Sequence, residues 1–183
     1  KVARLSDDEA YEAFRLIRAG HAEVVLAGGA EAPITPLSFG AFDVIHAMST
    51  ANDTPSMAYR PFDRDRDGFV MAEGASVLVL EELQHAVQRG ATIFGEVLGY
   101  GLTNDAHHMT APHPQGDPAA RAMQLALQEA RVAPQAIGYV NAHGTSTAVN
   151  DRVETVACKQ VFGERAMQTP VSSTKSMMGH LIA

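Results

Sequence analysis

The chain has 183 residues, 46% of them hydrophobic, and a formal net charge of -7. A chain of that length buries roughly 70% of its unfolded surface, enough for a real core in one domain or in parts of two. The acidic balance, without any basic run, argues against nucleic acid or an anionic membrane as partner, and no apolar stretch approaches the ~20 residues a bilayer span needs. In chain order, Asp7 to Ala19 is the first predicted helix, with Ala10, Ala13, Phe14 and Ile17 at helical spacing and Gly20 as its stop. Glu23 to Ala27 and Ala75 to Leu80 are short apolar runs, each predicting a buried strand. Between them the chain is loop-rich, with a short helical piece around Gly40 to Met48. Glu81 to Arg89 predicts a helix stopped by Gly90, and Ile93 to Tyr100 a third strand.

After a loop at Gly101 to Gly116, Asp117-Pro118 opens a helix as N-cap and first-turn proline. Its apolar face is Ala119, Ala122, Met123, Ala126, Leu127 and Ala130. Ile137 to Ala142 predicts a fourth strand that delivers His143 at its end. Asn150 or Asp151 is the expected cap of the next helix, with Asp151 and Glu154 spaced as a capping box, and that helix runs to about Phe162. Pro170 to Thr174 predicts a fifth strand, followed by KSMMGHLIA. Apolar strands alternating with amphipathic helices predict an α/β fold with a mixed or mostly parallel sheet and helices packed on it. The start, KVARLSDDEA, has no apolar signal-peptide core, and the single cysteine, Cys158, forms no internal disulfide, so a cytoplasmic location is expected.

Four groups of residues invite a chemical reading. DRDRDG at 63–68 places carboxylates at positions 1, 3 and 5 and glycine at 6, as in a calcium loop. The twelfth position is Gly74, with Glu73 one residue early, so a solvated turn of Asp–Arg pairs is the better reading. His107, His108 and His113 could ligate a metal, but adjacent histidines on an extended segment point to opposite sides and no suitably spaced carboxylate or cysteine joins them. Cys158 lies mid-helix, where a thiol is more often packed than reactive. His143 and His180 each follow an apolar strand region and each adjoin a glycine. At strand carboxyl ends two such histidines could converge on one carbonyl oxygen and donate hydrogen bonds to charge developing there; taken alone, a histidine of this kind is more often structural.

Four stretches carry a family resemblance: AFRLIRAGHAEVVLAGGAEAPITP, RPFDRDRDGFVMAEGA, GYVNAHGTST and VSSTKSMMGHL. From about Ala13 onward the chain resembles the β-ketoacyl-ACP synthases, the condensing enzymes of fatty acid and polyketide synthesis, and the elongating type more than the initiating type. The resemblance implies a thiolase-like fold of two similar α/β halves. Residues 1–90 would be the end of the first half and residues 91–183 most of the second. It implies decarboxylative Claisen condensation of an acyl thioester with a malonyl thioester on acyl carrier protein, in either pathway. No cofactor is implied beyond the carrier's own phosphopantetheine.

Residue by residue, His143 and His180 match the motif histidines that hydrogen-bond the malonyl carbonyl, and Lys175 matches the lysine that supports them electrostatically. Thr145 and Thr147 match threonines that hold the phosphopantetheine arm, and Thr110 would line its tunnel. The sequence departs from the pattern at Ala72 and Ser76, which replace glycines, and at Ala148, which replaces a frequent proline. The motif of the nucleophilic cysteine would fall at Ala3, where KVARLSDDEAY does not resemble it, and Ser6 has no base in view. The expectation is therefore a partial chain, inactive in condensation by itself. The alternatives are a non-catalytic partner subunit like a chain-length factor, or a folded fragment without activity. The family's homodimer forms partly through the strand before the nucleophile, which this chain lacks, so that dimer is not carried over to it.

Overall fold

The computed structural model describes residues 7–182. The expectations placed on Ala3 and Ser6 lie outside those residues. The chain divides into two compact units, each discontinuous in sequence. One takes residues up to Ala32, Glu73–Leu98 and the residues from Leu181; the other takes Pro33–Ala72 and Gly99–His180.

In the first unit, helix α1 (Asp7–Arg18) packs on a two-stranded antiparallel sheet of β1 (Val24–Glu31) and β2 (Gly74–Glu81). The register pairs Val24 with Glu81 and Glu31 with Gly74. Ala13 and Ala27 are buried at the centre, with Ala10, Val25, Leu78 and Leu80 packed around them. Strand alternation sends Leu26, Val77 and Val79 to the opposite face, where they are 61–69% exposed. Both strands were expected to be buried throughout. Only one face is covered among the described residues, because α1 supplies one apolar stripe and the pleat presents two.

Helix α3 (Leu83–Gln88) follows β2 directly, with Glu82 as N-cap accepting from the His85 amide. Arg89 grips the Glu81 carboxylate with two bonds of 2.6 Å, and His85 Nδ1 meets the same carboxylate at 2.5 Å. The Arg89 bond foremost, against an opposing desolvation effect and with help from His85, holds the Glu81 carboxyl down at about 2. Because the folded value lies below the ordinary 4.5, Glu81 contributes stability that is complete above about pH 4.5 and is lost as pH falls from there towards 2. In urea titrations between pH 7 and pH 3, the gap between the parent chain and Glu81→Gln should narrow as pH falls. A gap that stays constant would contradict the assignment.

In the second unit, α2 (Pro36–Val44) begins at Thr35, whose Oγ1 accepts the Ser38 amide at 3.2 Å, with proline in the first turn. Helix α4 (Asp117–Ala130) packs against α5 (Ala148–Phe162), and β3 (Val140–Asn141) pairs in parallel with β4 (Val171–Ser172). A one-turn helix, α6 (Lys175–Met178), follows β4. Among the described residues the fold is thus α/β, with a two-stranded antiparallel sheet and a two-stranded parallel one.

Several boundaries differ from expectation. Gly116, in the left-handed region, is the N-cap of α4 in place of Asp117. No strand forms at 93–100. Beyond Leu98 the chain is laid directly along α4: the Tyr100 amide donates to Glu129 at 2.7 Å and Thr103 Oγ1 to the Pro118 carbonyl at 2.8 Å. Any Cβ at Gly101 would overlap the Ala122 carbonyl, so the approach requires glycine there. The alanine stripe of α4 is therefore covered by backbone. The N-cap of α5 is Thr147 in place of the expected Asn150 or Asp151, and neither Asp151 nor Glu154 works as a capping box. No helix among the described residues is long and apolar enough to cross a membrane.

Candidate active site

The second unit places its chemistry where β3 and β4 end. The Val140 and Ala142 amides donate to the Pro170 and Ser172 carbonyls at 2.9 and 2.8 Å, so the two strands terminate side by side. β3 leads straight into His143. β4 leads through Ser173 and Thr174 into α6, whose buried Lys175 donates from Nζ to the His143 carbonyl at 2.7 Å. Ser173 Oγ donates to that carbonyl at 3.2 Å. On the amide side, the Glu154 carboxylate accepts His143 N at 2.6 Å and Gly144 N at 2.9 Å. The His143 backbone is thus clamped between a lysine and a glutamate from two different helices.

The next residues are strained and held. Gly144 has φ 46°, and a Cβ there would collide with the Ser173 side chain. Ser146 is a fully buried non-glycine residue at φ 65°. Its amide donates to Asp151 at 3.2 Å, its hydroxyl accepts from Arg60 N at 3.3 Å and its carbonyl accepts from Gly68 N at 3.0 Å. Three bonds, all from residues outside its turn, sustain a conformation that a free chain rarely adopts.

His180 arrives by a separate route. Its amide donates to the Val70 carbonyl and its carbonyl accepts from Ala72 N, both at 2.8 Å, so it docks on the strand-like segment after Gly68. Its ring lies 5.1 Å from that of buried Phe69, which in turn meets Phe42 of α2 edge-on at 5.3 Å. The rings of His143 and His180 are 5.9 Å apart and perpendicular. Both line one open groove of about 1070 Å³, together with Thr110, Thr145 and Thr147. Thr145 Oγ1 and Thr147 Oγ1 are 2.8 Å apart. The structure therefore brings together five of the six residues singled out from the sequence on one surface. The sixth, Lys175, meets the backbone of His143.

Of the other candidates, His107, His108, Asp67 and Gly68 also line the groove, but they build no second site. In DRDRDG, Asp63 Oδ1 accepts the Asp65 amide at 2.7 Å, an Asx turn, and Arg64 pairs with exposed Asp65. Arg66 is not a solvated partner: it reaches back to α5 and Asp151. The rings of His107 and His113 touch at 5.1 Å, but no group of three or more His, Cys, Asp or Glu among the described residues is arranged to hold a metal. Cys158 is buried in α5, where burial, and secondarily Glu154, push its thiol up to about 11. At neutral pH it is a packed thiol and not a thiolate.

Four residues important to this geometry escaped the sequence reading. Glu154, Asp151 and Arg66 act on residues far along the chain, and Phe69 acts by packing alone. The one local signal, the Asp151–Glu154 spacing, pointed to a helix cap.

The fold is that of the thiolase-like ketosynthases, the class of the solved structures this chain resembles. The Beta-ketoacyl synthase, N-terminal domain matches residues 6–86, and the Beta-ketoacyl synthase, C-terminal domain matches residues 94–183. The chain belongs to the β-ketoacyl synthase family. It is 53% identical over 171 residues to a 3-oxoacyl-[acyl-carrier-protein] synthase 2 of Synechocystis, an alignment covering 93% of this chain and 41% of that protein. Among solved structures, it resembles a ketosynthase bound to the hexaketide, in complex with its type II PKS acyl-carrier protein. The TM-score there is 0.93 at 42% identity, covering 99% of this chain and 46% of that one. A β-ketoacyl synthase from Burkholderia phymatum matches with a TM-score of 0.87 at 47% identity, covering 94% and 41%. The chain spans about two fifths of the length of the curated relative.

Proposed function

We propose that this chain carries the carbonyl-activating part of a β-ketoacyl-[acyl-carrier-protein] synthase, an acyltransferase of fatty acid or polyketide synthesis. Residues 1–90 and 91–183 then correspond to the end of the N-terminal ketosynthase half and most of the C-terminal half. The observation that carries the reading is the perpendicular pair His143 and His180, 5.9 Å apart on one groove.

A malonyl thioester enters on the phosphopantetheine of acyl carrier protein, with Thr145 and Thr147 offering hydroxyls to the arm and Thr110 lining its path. Each imidazole donates a ring N–H to the thioester oxygen. The bond from C2 to the carboxylate breaks, carbon dioxide leaves, and its electron pair becomes the enolate, whose charge grows on the oxygen facing the two donors. Lys175, on the His143 carbonyl, and Glu154, on the His143 and Gly144 amides, hold that imidazole's backbone in place. No group beyond the carrier's own arm is needed for these steps. In a condensing enzyme the enolate carbon attacks an acyl thioester, the C–S bond breaks and the thiolate leaves; when no acyl group is offered, the enolate takes a proton to give an acetyl thioester. Cys158, the chain's only cysteine, is too buried and too poorly ionised to carry that acyl group. The reading places the work in the cytoplasm, with which a single unpaired thiol is compatible.

The test supplies the 183-residue chain with malonyl-acyl carrier protein labelled in the free carboxyl, and separately with a radiolabelled acyl thioester. We expect slow release of labelled carbon dioxide, formation of acetyl-carrier protein and no covalent acyl-protein. A stable acyl-protein, or no carbon dioxide above the uncatalysed rate, overturns the proposal. A stoichiometric heterodimer with a complete synthase, without decarboxylation, would point instead to a chain-length-factor-like partner.

A further inference from the structure

Thr147 is the N-cap of α5, extended at φ -84° and ψ 148°, yet its side chain makes no capping bond. A threonine there ordinarily turns its Oγ onto the amide two or three residues ahead, which stabilises the helix start. Here the hydroxyl instead meets Thr145 Oγ1 at 2.8 Å and lines the groove. No side chain caps the first-turn amides. The carbonyl side of the same turn is held instead, by Arg66. Its Nε donates to the Thr147 carbonyl at 3.1 Å, Nη2 to the Ala148 carbonyl at 2.8 Å and Nη1 to the Asp63 carbonyl at 2.8 Å. The same Nε lies 3.5 Å from Asp151 Oδ2, a carboxylate only 1% exposed.

We infer that Arg66 is a positioning residue for the Thr147 hydroxyl. By holding the carbonyls of Thr147 and Ala148 from outside the helix, its planar fork fixes the backbone at the start of α5 and with it the direction of the Thr147 side chain. The hydroxyl is thereby left beside Thr145, facing the groove. A lysine reaches one carbonyl at a time and cannot reproduce the fork. The consequence for ligand binding rests on the proposal that the threonine pair holds the phosphopantetheine arm; the consequence for the Thr147 rotamer does not.

The experiment therefore has two readouts on the isotope-labelled chain. The first is the Thr147 χ1 angle, from three-bond couplings of its methyl carbon to the backbone nitrogen and carbonyl carbon, with hydrogen exchange of the Val149 and Asn150 amides. In Arg66→Met the couplings should change rotamer, and one of the two amides should gain about tenfold protection as the hydroxyl turns to cap the helix. Arg66→Lys keeps a charge near Asp151 and serves if the methionine variant fails to fold; the same rotamer change is expected in it. Unchanged couplings in a folded variant overturn the inference.

The second readout is affinity for malonyl-pantetheine. Arg66→Met and Thr147→Val should each weaken binding about tenfold, the loss of one hydrogen bond, and the double variant should fall no further. Additive losses, about a hundredfold in the double variant, mean that Arg66 acts elsewhere and overturn the inference. Changed couplings with unchanged affinity uphold Arg66 as the positioning residue, and it is then the assignment of Thr147 to the pantetheine arm that fails.

Discussion

Replacing His143 with alanine should slow carbon dioxide release from a malonyl thioester by about 10²- to 10³-fold, and replacing His180 should do so by a similar factor. That is the range seen when one preorganised donor is removed from a developing oxyanion. The two routes by which the imidazoles arrive make the prediction specific. His143 comes from the end of β3 and is clamped by Lys175 and Glu154; His180 comes from the turn after α6 and is packed on Phe69. Removing one leaves the other's anchorage intact, so a lost rate reports a lost donor. The pair acts on one oxygen as a unit, and the double variant should be little worse than either single one. Carbon dioxide release within about twofold of the parent in either single variant would refute the shared-oxygen reading.

The second large effect is on stability. Asp151→Ala should destabilise the chain by about 3 kcal/mol or more, because the carboxylate is a buried hub. It accepts the Phe62 amide at 2.7 Å, the Ser146 amide at 3.2 Å and Asn150 Nδ2 at 3.1 Å, and faces Arg66. Alanine strands the Phe62 and Ser146 amides and removes the counter-charge of Arg66. It also releases Ser146, whose positive φ depends on that bond. Asp151→Asn keeps an acceptor and should lose less. Urea unfolding should show the midpoint falling at unchanged slope; a loss below about 1 kcal/mol would show that the hub is dispensable.

Much of this protein is readable from local pattern. The apolar runs around Leu26 and Leu78 form the strands expected of them, and α1 and α4 follow their 3.6-residue periodicity. The motif stretches around His143 and His180 are those of the β-ketoacyl synthases. These features are encoded within a dozen neighbouring residues, where hydrophobic spacing and motif chemistry operate. The segment at 93–100 has strand composition and no strand. Composition supplies the propensity, whereas a ladder needs a partner strand, and none pairs with it among the described residues.

The tertiary structure alone decided how the site is held. Asp151 and Glu154 have the spacing of a capping box, and local reasoning gives them to α5. In the folded chain their carboxylates are taken by the amides of Phe62, His143, Gly144 and Ser146, and α5 is capped earlier, at Thr147, beside the guanidinium of Arg66. A carboxylate satisfies whichever donors burial brings within hydrogen-bond reach. Which donors those are depends on contacts spanning up to 89 residues of chain between Phe62 and Asp151, and no local pattern records them.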